Sequence, residues 1–289
     1  MPSRLLDLAQ LDPDALDARV RVTRWTEQVT DQEDDQVAHE EPLELQLQGS
    51  RVAVVMRTPG HDEDLALGFF LSEGVIASID DVRSVHHCPD ARDDAQDNVV
   101  RVILRDDLPV DFERLRRNLY TSSSCGLCGK ASIEAVMRVA PPLKAMSPVE
   151  AERLYRWPER LREEQPTFAS TGGLHGAGLF DSLDRLPAVV REDVGRHNAV
   201  DKVLGAMLRH RRVASESALV VSGRVSFELV QKAAAARVPT LAGVSAPTSL
   251  AIRAAQALGI TVVGFLRGRH MNVYTHPERI TATGTGGAG

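Results

Sequence analysis

The stretch Thr121-Ser122-Ser123-Ser124-Cys125-Gly126-Leu127-Cys128-Gly129-Lys130 places two thiols three positions apart among small, hydroxyl-bearing and flexible residues. Cysteine chemistry runs through the thiolate, which needs positive charge, hydrogen-bond donors or a helix N-terminus nearby and room for a partner sulfur to approach. The hydroxyl side chains offer donors, and Gly126 and Gly129 let backbone N–H groups come close. Lys130 adds charge just before Ile133, Val136, Met137 and Ala140, which recur at helical spacing. The pattern reads as a reactive dithiol loop at the mouth of a helix. Two other readings stand beside it. A C-x-x-C is half of a zinc site, and His86, His87 and Cys88 could supply further ligands, although no second C-x-x-C occurs. A thioredoxin-type redox pair should follow a strand, whereas this one follows a polar run and the arginine-rich segment from Arg114 to Asn118.

A second set of chemistry-bearing residues lies downstream. Arg191-Glu192-Asp193-Val194-Gly195-Arg196-His197-Asn198, Ser222-Gly223-Arg224-Val225-Ser226, Ser245-Ala246-Pro247-Thr248-Ser249 and Arg267-Gly268-Arg269-His270 each follow an apolar, strand-like run. Each joins glycine or small hydroxyl residues to a helix start or to arginine. Helix N-termini and N–H-rich turns hold anions, and arginine clamps phosphate through paired hydrogen bonds. Singly, such segments are caps and turns. Together, at the carboxyl ends of strands, they read as a pocket for a phosphorylated ligand. No G-x-x-x-x-G-K-[ST] occurs, and the Gly172 to Gly178 run lacks the order of a Rossmann fingerprint and does not clearly follow a strand, so ATPase and dehydrogenase readings fall away. His175 and His197 could act as acids or bases, or each make one structural hydrogen bond.

The elements that must position these residues follow from periodicity. Leu43 to Leu47 and Val52 to Met56 read as a hairpin around Gly49-Ser50, and Asp62 to Leu71 as a helix stopped by Gly74. Val82 to Cys88 and Val99 to Leu104 form an expected strand pair. Residues 1–20 read as weakly structured, and Asp31 to Glu41 as a solvated, self-repelling acidic loop. After the thiols come a helix from Ser132, one opened by the capping box Ser147-Pro148-Val149-Glu150, and one around Leu161. Strands at Ala188–Val190, Ala218–Val221, Leu241–Val244 and Ile260–Leu266 then alternate with helices at Val200–Leu208, Phe227–Ala236 and Leu250–Leu258. That alternation predicts parallel crossovers in an α/β layer sandwich behind a smaller N-terminal α+β domain.

Composition sets outer bounds. At 289 residues and 43% hydrophobic content, the chain can bury a sizeable core. It begins without an apolar leader and never runs eighteen apolar residues together, so no secretion or membrane insertion is signalled. Three cysteines, an odd count, argue for a reducing compartment, and the expected location is the cytoplasm. A net charge of −6 gives no bulk attraction to nucleic acid, so an anionic ligand must be held by local arginines.

Cys125-Gly126-Leu127-Cys128-Gly129, the segment Glu192 to Lys202, Ser222-Gly223-Arg224 and Met271-Asn272-Val273-Tyr274 together resemble the formate dehydrogenase accessory sulfurtransferase family (FdhD), over about Arg21 to Ile280. The resemblance implies a cytoplasmic homodimer that takes persulfide sulfur from a cysteine desulfurase. It would pass that sulfur to the molybdenum bis(molybdopterin guanine dinucleotide) cofactor of formate dehydrogenase. Guanine nucleotides such as GDP would share the cofactor site. It further implies an N-terminal domain over 18–120, a C-terminal domain over 121–280 similar to the cytidine deaminase fold, a three-layer αβα sandwich, and a flexible tail at 281–289. By position, Cys125 becomes the persulfide-forming nucleophile with Cys128 beside it. Phe265, Leu266, Arg267, Gly268, Arg269 and His270 become a cofactor-binding segment, joined by Arg196, His197, Ser222, Gly223 and Arg224. No resident metal is implied. Zinc deaminases need H-x-E and a later P-C-x-x-C, whereas here His175-Gly176-Ala177 lacks the glutamate and the C-x-x-C lies upstream, so base deamination is not expected. A cofactor chaperone without sulfur chemistry and a zinc-stabilised binding module remain the alternatives.

Overall fold

The computed structural model describes residues 17–25, 30–88, 96–112, 115, 140–143, 148–181 and 187–282. The dithiol loop and the helix expected from Ser132 lie outside them.

Strands β1 (Asp17–Trp25) and β2 (Thr30–Ala38) pair into an antiparallel ribbon. This corrects the acidic loop expected from Asp31 to Glu41 and the weak structure expected for residues 17–20; residues 1–16 lie outside the described residues. Arg21 lies 3.5 Å from Asp34 and Arg24 pairs with Glu33, so a basic strand neutralises the acidic one. Charge read along one segment indicates repulsion; read across the ribbon it indicates pairing.

The expected hairpin is β3 (Glu41–Leu47) with β4 (Ser50–Arg57), and β5 (Val82–His87) with β6 (Val99–Leu104) completes a four-stranded sheet in the order β4-β3-β6-β5. Leu43, Leu45 and Leu47 alternate with less buried neighbours and share a core with Val100, Val102 and Leu104. Helix α1 (Asp62–Ser72) is buried at every residue except Glu63, because it is packed on two sides.

The second side is the C-terminal part: α2 (Ala151–Glu163), α3 (Pro166–Thr171), α4 (Arg196–Arg209), α5 (Phe227–Ala235) and α6 (Ser249–Leu258) around a six-stranded sheet. Its strands are β8 (His175–Asp181), β9 (Pro187–Asp193), β10 (Ser217–Val221), β11 (Thr240–Gly243), β12 (Thr261–Arg267) and β13 (His270–Val273), in the order β13-β12-β11-β10-β8-β9. Period-two alternation sends Leu219, Val221, Leu241 and Val262 to the face covered by α4, α5 and α6. Ala218, Val220, Ala242 and Val263 go to the face covered by α2, where Trp157 stacks on Phe180 at 5.1 Å. The three layers expected from the alternation are therefore present. The first core also takes in α1 and the N-terminal sheet. Among the described residues no helix is long and apolar enough to cross a membrane.

Two further expectations are corrected. Val149 and Glu150 form β7 (Val149–Glu150), paired with β14 (Ile280–Thr281), so the proposed capping box is drawn into a strand by a partner 131 residues away. One helix, starting at Ala151 and carrying Pro158 in its interior, replaces the two expected. From His175 onward the Gly172 to Gly178 run belongs to a strand, and β8 is antiparallel to both neighbours, so the sheet is mixed rather than parallel. Glycine hides that strand from its pattern. A Cβ on Gly176 would stand 2.3 Å from the Gln165 amide, and one on Gly178 would stand 2.9 Å from Phe180.

Candidate functional site at one edge of the sheet

β10, β11 and β12 run parallel, whereas β8 runs against β10 and β9 against β8. Consequently the start of β8 and the ends of β9 to β12 lie along one edge, and all four segments singled out by composition meet there with His175.

The segment Glu192 to Lys202 divides by direction. Its inward residues are structural. Asp193, fully buried, pairs with Lys202 Nζ at 2.7 Å and accepts hydrogen bonds from Gly195 N, Asn198 Nδ2 and Thr58 N. Glu192 accepts from Thr167 N and Phe168 N at the start of α3. Asp201 accepts from Lys232 and from Ser72. Arg196 and His197, by contrast, stand at the edge. The buried Nε of Arg196 has no hydrogen-bond partner among the described residues. A Cβ on Gly223 would lie 3.5 Å from His175 Nδ1 and 3.9 Å from Arg196 Cδ, so these three residues lie side by side at the ends of β8, β9 and β10. Burial first, and then the charges of Arg196 and His197, lower the His175 pKa, leaving a neutral imidazole at pH 7.

Helices α4 and α5 both begin here, and neither Gly195 nor Ser226 closes its helix with a side-chain hydrogen bond. Their first-turn N–H groups and positive dipole ends thus face the edge. Ser222 is already engaged: its hydroxyl accepts from Gly176 N and its own N–H donates to Gly176 O, which joins β10 to β8. Arg224 is exposed.

Composition gave no sign of Glu228. Its carboxylate stands 2.7 Å from His197 Nε2, with Ser226 Oγ at 3.4 Å on the same nitrogen. Its place in the first turn of a helix was the available signal, but the partner belongs to another helix. The hydrogen bond from His197 holds the Glu228 carboxyl below its ordinary 4.5, so the pair stabilises the fold above that pH and is lost as the pH falls through the lowered value. In denaturant melts, Glu228→Gln is expected to unfold earlier than wild type at about pH 6 and to converge with it well below pH 4.5. A difference persisting in acid would exclude the ion pair as its cause.

The hairpin tip forms a second group. Phe265 has φ 52°, a left-handed conformation that costs a bulky residue about 1–3 kcal/mol and accompanies a bulge between Gly264 and Arg267. The bulge reverses the alternation, so Leu266 enters the α2-side core while Phe265 stays half-buried at the edge, its N–H on Ser245 O at 3.1 Å. Arg267 and His270 are exposed, Gly268 turns the chain at φ 53°, and Arg269 is folded onto α2. Arg196, His197 and Gly223 are thus brought together, while Arg267 to His270 follow β12, two strands from β10, roughly 10 Å, and four from β9. Cys125 and Cys128 lie outside the described residues. Cys88 is buried, with Arg101 Nη2 3.0 Å from its sulfur.

Residues 38–281 match the model of the FdhD/NarQ family. A relative named "Sulfur carrier protein FdhD" in Anaeromyxobacter dehalogenans is 48% identical over 260 residues, covering 86% of this chain and 90% of its own. One of the same name in Streptomyces coelicolor is 47% identical over 277 residues, covering 94% and 98%. A crystal structure described as that of "a putative formate dehydrogenase accessory protein" from Desulfotalea psychrophila has a TM-score of 0.74 at 26% identity, covering 92% of this chain and 100% of its own. A family match across most of the chain, and relatives nearly half identical over almost their full lengths, establish that the protein belongs to the FdhD/NarQ family.

Proposed function

We propose that the protein is a sulfur carrier for formate dehydrogenase maturation. It accepts sulfur from a cysteine desulfurase and delivers it to the molybdenum bis(molybdopterin guanine dinucleotide) cofactor, acting as a cytoplasmic homodimer. The names of its relatives support the sulfur-carrying role and the dehydrogenase as acceptor. The observation that carries the ligand reading is the edge itself. Two helices open there without side-chain caps, and between them Arg196 keeps a buried Nε with no partner among the described residues. An arginine held at a helix start with no salt bridge among the described residues suits the pyrophosphate of a dinucleotide, or of GDP.

Sulfur loading is an exchange. The Cys125 thiolate attacks the terminal sulfur of the desulfurase persulfide; the new S–S bond forms, the old one breaks, and the desulfurase thiolate leaves. Delivery is balanced if the Cys128 thiolate then attacks Cys125 Sγ. The Cys125–Cys128 disulfide forms, the terminal sulfur departs as hydrosulfide, and the dithiol supplies the two electrons. A helix following the loop would lower the Cys128 pKa more than that of Cys125. Exchange also requires access and nucleophilicity, and on the family pattern Cys125 is assigned the persulfide.

Mass spectrometry after incubation with a desulfurase and cysteine tests this reading. Wild type and Cys128→Ala are expected to gain the mass of sulfur, whereas Cys125→Ala gains none and fails to activate the dehydrogenase. Loading of Cys125→Ala with none on Cys128→Ala would reverse the assignment. A wild-type protein that gains no sulfur but binds GDP would be a cofactor chaperone. Stoichiometric zinc with both thiols closed to alkylation would make it a zinc-stabilised module.

A further inference from the structure

Arg269, at the tip between β12 and β13, is turned from the sheet edge onto α2. Its Nη1 and Nη2 donate to the two oxygens of Glu152 at 3.0 and 2.8 Å, and its guanidinium lies 5.6 Å from the centre of the Tyr155 ring. Arg156 approaches the same carboxylate at 3.4 Å. Two parallel N–H···O bonds to one planar anion are also how arginine holds a phosphate. Glu152 therefore fills on Arg269 the place that a ligand phosphate would take. The Arg269 hydrogen bond keeps the Glu152 carboxyl below its ordinary range, so the competitor is charged at neutral pH.

We infer that Glu152 is a specificity-determining residue: an internal anion that occupies Arg269 until a phosphate-bearing ligand displaces it. The inference rests on the nucleotide reading of the sheet edge. A diphosphate, with at least two charges, outcompetes a single carboxylate for the guanidinium, whereas a ligand carrying only a carboxylate gains nothing by the exchange. Displacement would also free the hairpin tip from α2, two strands from Gly223, a span of about 10 Å that a diphosphate-bridged ligand covers.

Calorimetry with GDP and with inorganic pyrophosphate tests the exchange on the full chain and on Glu152→Gln, Arg269→Ala and the double variant. Glu152→Gln is expected to bind both probes about two- to fivefold more tightly, the range of an exposed, well-oriented ion pair. Arg269→Ala should bind more weakly than wild type, and the double variant should match Arg269→Ala, because without the arginine nothing remains to compete for. Unchanged or weaker binding by Glu152→Gln would overturn the inference, as would a gain that persists in the double variant. If both probes bind wild type and lose affinity in Arg196→Ala while Glu152→Gln leaves them unchanged, the nucleotide reading survives and the role of Glu152 falls. If neither probe binds wild type or Glu152→Gln, both fall.

Discussion

Lys202→Met is expected to lower the unfolding free energy by about 3–5 kcal/mol, the usual cost of leaving one member of a buried ion pair without its partner. Lys202 is 1% exposed and Asp193 is 0%. The ammonium meets Asp193 Oδ2 at 2.7 Å, the Thr58 carbonyl at 2.7 Å and the Glu192 carbonyl at 3.4 Å. Burial pushes the Lys202 pKa down while Asp193 holds it up. Without the ammonium, Asp193 keeps three N–H donors but no countercharge. Thr58 loses one of the bonds that pin the end of β4 to α4, the other being that from Asn198 to the Met56 carbonyl. Because Arg196 and His197 ride on the same segment, GDP affinity should fall with stability. Chemical denaturation decides: a loss below about 1 kcal/mol would mean that water or a local shift replaces the ammonium. The double variant Lys202→Met with Asp193→Asn should recover part of the loss, since it removes the stranded charge.

Gly205→Ala should destabilise the fold by about 3 kcal/mol or more, above the ordinary range for one added methyl group. A Cβ on Gly205 would stand 1.8 Å from the Asp64 carbonyl oxygen, and one on Gly68 would stand 1.9 Å from that of Asp201. In both cases the obstacle is backbone, which no rotamer change can move, so α1 and α4 would have to separate along their crossing. The gain in helix propensity, about 1 kcal/mol, runs the other way and is smaller. Separating the helices also disturbs the Ser72–Asp201 bond, at 2.9 Å across the same crossing. Thermal melts of Gly205→Ala and Gly68→Ala at wild-type midpoints would show that the helices do not cross so closely.

Most local structure was legible because its cause is local. Leu43, Leu45 and Leu47 announce β3 by alternation, Asp62 to Gly74 announces α1, and the runs from Ser217 to Arg267 give strands and helices within a residue or two of those observed. The gathering of the four anion-type segments followed from strand direction, since residues after strands that run the same way in one sheet share an edge. What stayed hidden depended on partners far along the chain. β2 is a strand because β1 brings arginines to its carboxylates, and Val149 is a strand residue because Ile280 lies beside it. Motif reading found the segment from Glu192 to Lys202 but not the division of labour within it. Only packing turns Asp193, Asp201 and Lys202 inward as structural pairs and leaves Arg196 and His197 at the edge. Residue type likewise marked Arg269 as a phosphate ligand, whereas Glu152, 117 residues earlier in the chain, decides where that arginine rests. Side-chain periodicity is set by neighbours a few bonds away and is written in the sequence. The direction of a charge is set by whichever countercharge the folded chain brings within hydrogen-bond reach, and that is a property of the tertiary structure.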